Sequence, residues 1–245
     1  MTGVQACALP IWDTLNHRIV VLDKDGMAVT AWGSQGADNG QFNQPRTVSK
    51  DHFGNILVLD SGNSRIQSFS PLGEFISVWG SYGTGDYLLN FPLGMAVNHI
   101  DQALIADTGN FRFEVFNDGA VPVTQQGWYG EGPYQFKEPA GVCVTPTRLV
   151  AIADRDCVDF YNGDDGYFEF LGKWKAGKSW AGSKNGPRFR GITSDRQSRI
   201  YLTDVANNWV VRIRPMVTAP PRLPKDPTPT PDESAPFEGQ GYPIR

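Results

Sequence analysis

The phrase Asp60-Ser61-Gly62-Asn63-Ser64-Arg65-Ile66 follows an apolar run at 56–59 and returns at a fixed distance. Asp107-Thr108-Gly109-Asn110-Phe111-Arg112-Phe113 stands 47 residues after it, and Asp13-Thr14-Leu15-Asn16-His17-Arg18-Ile19 stands 47 before it. The register runs on to Asp154 after another 47 residues and to Asp204 after 50. A unit this short cannot enclose a core alone. Its copies must stack on one another, so the chain is an array of similar supersecondary units.

Each copy carries four short apolar runs. The first lies at 47–49, 95–97, 142–144 and 192–193. The second, at 56–59, 103–106, 149–153 and 200–203, is apolar at successive positions, as a strand covered on both faces must be. The third occupies 19–22, 66–69, 113–116, 158–161 and 210–213, and the fourth 27–32, 75–79, 121–125 and 168–174. Turn residues such as Asp25-Gly26, Pro71-Leu72-Gly73 and Asp118-Gly119 separate the last two. No stretch has the period of a long amphipathic helix. Four short antiparallel strands per unit make an all-β propeller blade.

Other columns keep the same register: Pro45, Pro92 and Pro139; Phe42, Leu89 and Phe136; Trp32-Gly33 and Trp79-Gly80. A Pro-x-Gly strand, an apolar strand ending in Asp, an Asn-x-Arg-Ile turn and an aromatic-Gly close together resemble the NHL repeat, over about residues 13–214. The resemblance implies a β-propeller of four-stranded antiparallel blades, usually six. Counting strands gives about five blades, the first incomplete. The copy at Asp154 departs, with Cys157 in the Asn column and Asp159 in the Arg column. The copy at Asp204 keeps Asn207 but carries Trp209 for Arg.

The two ends fall outside the register. Positions 7–12 should match 54–59, yet Pro10 stands where a central strand needs an N–H. Residues 1–12 also resemble translated adapter sequence, so a non-native or unstructured leader is expected there. From 215 to 245 the chain is proline-rich without periodicity, the composition of a disordered tail stiffened by polyproline geometry.

Composition narrows the function classes only a little. Three cysteines (Cys7, Cys143, Cys157) form neither a disulfide framework nor a Cys-x-x-Cys metal pair. No apolar run is long enough to span a membrane, and residues 1–12 lack the basic start and apolar core of a signal peptide. The compartment stays open. No Gly-x-Ser-x-Gly, phosphate-loop or dinucleotide fingerprint occurs. The net charge of −4 hides an asymmetry: residues 173–214 hold ten Lys/Arg and two Asp.

The recurring turn is expected to build blades. A residue present in every blade answers a need that every blade has. That assigns a structural role to Asp13, Asn16, Arg18, Asp60, Asn63, Arg65, Asp107, Asn110, Arg112, Asp154, Asp204 and Asn207. Function is sought where copies differ. The long blade-to-blade loops carry Tyr82, Tyr87, Trp128, Tyr129, Tyr134 and Trp180, amphipathic side chains suited to recognition, some of which fold back as packing. The residue after the strand-one proline reads Arg46, Leu93 and Ala140, with Arg190 in the last copy, and the two arginines can grip an anion. A basic stretch at 173–190, with Lys184 and Arg188 beside Trp174 and Trp180, suits a phosphate backbone.

The expectation is a monomeric, non-catalytic propeller that recognises a protein partner through its loop face, without cofactor, metal or membrane. Two alternatives stand beside it. One is RNA binding through 173–190. The other is a metal-dependent hydrolase or lyase, since lactonases and an amidating lyase belong to related propellers. The three histidines, His17, His52 and His99, do not converge in the predicted layout. The acidic run Asp154, Asp156, Asp159, Asp164 and Asp165 lacks the Gly and Glu spacing of a calcium loop.

Overall fold

The computed structural model describes residues 9–163, 168–176, 186–213 and 215. They form five antiparallel blades of a β-propeller. Blade I comprises Leu9–Asp13, Arg18–Leu22 and Ala28–Trp32. Blade II comprises Pro45–Lys50, Ile56–Asp60, Arg65–Phe69 and Phe75–Trp79. Blade III comprises Gly94–Val97, Ala103–Asp107, Arg112–Phe116 and Pro122–Gln126. Blade IV comprises Pro139–Val144, Leu149–Asp154, Cys157–Asn162 and Glu169–Lys175. Blade V comprises Phe189–Ser194, Ile200–Asp204 and Trp209–Ile213. Helical structure among these residues is confined to three single 3-10 turns.

The unbroken apolar second strand now has a packing reason. Successive side chains point to opposite faces, and each face meets a different neighbouring blade. Ile56 and Val58 join Ile19, Val21 and Phe69 in the core between blades I and II. Leu57 and Leu59 join Met95 and Ile105 between blades II and III. The alternation repeats with Leu104 and Ala106 against Val150 and Ile152, and with Ala151 and Ala153 against Leu202. Each fully buried Ile or Leu contributes roughly 1.5–3 kcal/mol, so the interblade cores dominate cohesion.

First strands line the axis. Glycine in the Pro-x-Gly pattern is a matter of space: a Cβ on Gly94 would lie 2.6 Å from the Ala140 carbonyl oxygen, and one on Gly141 2.7 Å from that of Arg190. Blade II carries Thr47 here, whose hydroxyl donates to the Leu93 carbonyl at 3.4 Å.

One boundary needs correction. Leu9–Asp13 is a strand, paired antiparallel with Arg18–Leu22 from Leu9↔Leu22 to Asp13↔Arg18. Pro10 argued against a central strand, but this strand is the edge of its sheet, where one side needs no ladder partner. Residues 1–8 and the proline-rich 216–245 lie outside the described residues.

Candidate functional site

The recurring turn is a clamp on the loop that leads into its own blade. In blade II the Asp60 carboxylate accepts the Asn43 N–H at 2.6 Å, Asn63 Nδ2 at 2.8 Å and Arg65 Nε at 2.8 Å. Arg65 also donates to the loop carbonyls of Ala37, Asp38 and Gln41. Blade III repeats this. Asp107 accepts from the Asn90 N–H, Asn110 and Arg112, and Arg112 donates to the carbonyls of Gly85 and Leu88. In blade I, Asp13 holds Asn16 and Arg18; in blade V, Asp204 holds Asn207 and the Arg188 N–H.

Blade IV uses a different cation. Its turn is two residues long, so Asp154 pairs with Cys157, whereas Asp60 pairs with Arg65. Cys157 therefore takes the Arg column, and Asp159 the column of Gln67 and Glu114; counting by 47 had placed them two positions off. The missing guanidinium is replaced from strand four. Lys173 Nζ lies 3.3 Å from Asp159 and donates to the Gln135 carbonyl at 3.1 Å. Gln41, Leu88 and Gln135 stand 47 apart, so the same loop carbonyl is gripped in all three blades.

Asp154, Cys157 and Asp159 bring three potential metal-ligating atoms within 4.8 Å of one another. Lys173 already supplies a cation there, and burial pushes the Cys157 thiol pKa up, which disfavours the thiolate a metal would need. Asp164 and Asp165 lie outside the described residues. Burial also pushes the Cys143 thiol up to about 12. Neither thiol is expected to react with a thiol reagent at pH 8 in the native protein, while both react in urea. Peptide mapping of the labelled chain checks this; native labelling at Cys157 would contradict it.

The channel mouth on the loop face gathers cations from distant parts of the chain. Arg46 and Arg190 occupy register breaks, where Pro45↔Asp60 is followed by Thr47↔Leu59 and Phe189↔Asp204 by Ile192↔Leu202. A bulge of this kind re-aims the side chain it carries. Both arginines, with Arg188, line a cavity of about 690 Å³ whose other walls include Leu93, Met95, Ile192 and Trp12. Glu138, which sequence reasoning missed, lies 2.6 Å from both Arg188 Nη2 and Arg190 Nη2. These arginines hold its carboxyl below the usual range against the opposing effect of partial burial. Two guanidinium groups thus share one carboxylate, and Arg46 adds a third cation to the mouth.

The aromatic loop residues divide. Tyr82, Trp128 and Tyr129 stand out at 69%, 55% and 64% exposure. Tyr87 turns inward against Phe116, and the Tyr134 hydroxyl accepts the Phe170 N–H. Trp180 and Lys184 lie outside the described residues. Within the basic stretch, Lys175 pairs with Glu131 and Asp156, Arg188 and Arg190 with Glu138, and Lys173 with Asp159. Only His17 stands apart: its Nδ1 accepts the Gln44 N–H, while His52, bonded to Asp101, and His99 line one cavity on the opposite face.

No protein-family profile matches the chain. Among solved structures it is similar to a streptogramin B lyase, with TM-score 0.63, 14% identity, and coverage of 84% of this chain and 62% of that one. It is also similar to virginiamycin B lyase from Staphylococcus aureus, with TM-score 0.60, 10% identity, and coverage of 86% and 67%. A putative gluconolactonase gives TM-score 0.57, 13% identity, and coverage of 84% and 72%. The chain spans under two thirds of the length of the first of these. These likenesses show the propeller fold, in a neighbourhood that includes lyases and lactonases.

Proposed function

We propose that the chain is an NHL-type binding propeller that takes an acidic group of a protein partner at its loop-face mouth. The observation that carries this is the convergence of Arg46, Arg188 and Arg190 on one cavity, with Glu138 paired to the last two. A carboxylate arriving there would accept from Arg46 and displace part of the Glu138 pairing, while the exposed Tyr82, Trp128 and Tyr129 of the blade-to-blade loops offer amphipathic contact to the rest of the partner. Immobilised acidic peptides should retain the native protein, and Arg46→Glu with Arg190→Glu should abolish retention without loss of fold. Equal retention of native and double-variant protein would sink the reading.

The second reading, a hydrolase or lyase, is favoured by the names of the structural neighbours. Its metal does not fit the described residues. The candidate donor cluster Asp154, Cys157 and Asp159 is packed inside blade IV with Lys173, away from the cavity lining. Stoichiometric metal retained through purification, together with turnover of a lactone or a cyclic depsipeptide, would reverse this preference. RNA binding is the weakest reading, because Lys173, Lys175, Arg188 and Arg190 all face carboxylates within reach.

A further inference from the structure

The other end of the channel holds a second cavity, of about 630 Å³, and its lining is also basic. Lys50, His52, His99, Arg148 and Arg196 surround it, from blades II to V. The repeat explains why. In blades II to V a tight turn joins strands one and two, and its first residue spends its polar side chain on the turn itself. The Asp51 carboxylate accepts from the N–H and Nδ2 of Asn55. Asn98 Oδ1 accepts the N–H groups of Ile100 and Gln102, and the Thr145 hydroxyl that of Leu149. The Asp195 carboxylate is taken by the N–H groups of Gln197 and Arg199, by the Arg199 guanidinium and by Tyr201.

The acidic groups of these turns are therefore held by the turns themselves, and Asp195 is also paired with Arg199. Asp101 is likewise bonded to the backbone and ring of His52. The next turn position, which reads His52, His99, Pro146 and Arg196, lines the cavity. Lys50 and Arg196 are exposed there. His99 Nδ1 is buried and has no hydrogen-bond partner among the described residues. Two exposed cations and two imidazole rings line one cavity in a chain of net charge −4, a local concentration of basic groups.

The geometry points to an oxyanion site at this mouth, for a phosphoryl group carried by inorganic phosphate or by a small phosphomonoester. Donors drawn from several blades suit a tetrahedral group with several acceptor oxygens better than a lone carboxylate. The site is separate from the loop-face cavity and does not depend on its role.

The three histidines give a built-in readout. In the full chain, titration with inorganic phosphate at constant ionic strength is followed by the ring C–H resonances. Saturable shifts of His52 and His99 are expected, with His17 unmoved. Glycerol phosphate in place of phosphate distinguishes the two sources by which binds more tightly. Lys50→Gln with Arg196→Gln should weaken binding at least tenfold, and Arg46→Ala should leave it intact. The two glutamine substitutions fall on exposed turn positions; Lys50→Gln alone serves as a second variant and should weaken binding measurably. Shifts that stay linear, that match those in chloride, or that survive the double substitution would overturn the proposal.

Discussion

Arg112→Ala is expected to lower stability by about 3–5 kcal/mol, the usual cost of leaving buried charge without its partner. Arg112 is only 8% exposed. Its Nε lies 3.0 Å from Asp107 and its Nη2 2.6 Å from Glu114, and neither carboxylate side chain has measurable exposure. Removal therefore strands two buried acids as well as the carbonyls of Gly85 and Leu88. For a chain of this size the melting temperature should fall by roughly 10 °C, which thermal unfolding by circular dichroism measures. Arg65→Ala should cost less. Its partner Asp60 keeps the Asn43 N–H, Asn63 and Gln67, and the neighbouring column holds a neutral amide where blade III holds Glu114. The contrast is the test of mechanism. Pairing Arg112→Ala with Glu114→Gln should recover part of the loss, because one stranded carboxyl is gone. An unchanged melting temperature for Arg112→Ala would overturn the clamp.

The clamp was legible in the sequence because its residues recur in register and because each interaction is local to one blade or the loop entering it. The strands were legible for a related reason: an apolar run covered on both faces leaves an unbroken signature, as at Ile56–Asp60. What escaped was pairing that counting cannot supply. Asp154↔Cys157 closes a shorter turn than Asp60↔Arg65, so the 47-residue ruler misaligned Cys157 and Asp159 with the columns they fill. Lys173 escaped because it reaches the shared carbonyl from strand four. Pro10 hid the first strand because only sheet order tells an edge from a centre. At the channel mouth the arginines stood out as variation in a repeated column. Glu138 did not, since its tie to Arg188 and Arg190 spans two blades.

Glu114→Gln is expected to remove a distinct share of the pH dependence of stability between pH 5 and pH 8. Glu114 sits where blade II has Gln67, whose amide donates to the Gln41 carbonyl at 2.7 Å and accepts the Gly40 N–H at 2.8 Å. In blade III the matching N–H, that of Tyr87, donates to Gln125 instead, so Glu114 accepts no loop N–H among the described residues, and burial pushes its pKa up to about 8 against the pull of Arg112. The sign follows from proton counting. Unfolded, the group loses its proton above its ordinary value of 4.5, whereas folded it keeps it to about 8. Between those limits the folded state binds more protons, so its contribution is full below the lower value and fades as pH rises to the upper one. The limiting slope is about 1.4 kcal/mol per pH unit, enough to make the loss by pH 8 a few kcal/mol. Glutamine has no proton to lose and keeps both a donor and an acceptor in the site. Urea unfolding at pH 5, 6.5 and 8 should give near-equal stabilities for variant and native protein at the first and a clear advantage to the variant at the last. Asp107, Asp154 and Asp159 are also raised by burial and impose the same trend on both proteins, so the difference between the two curves isolates Glu114. Parallel curves would mean that Glu114 is ionised throughout and that Arg112 holds two carboxylates at once.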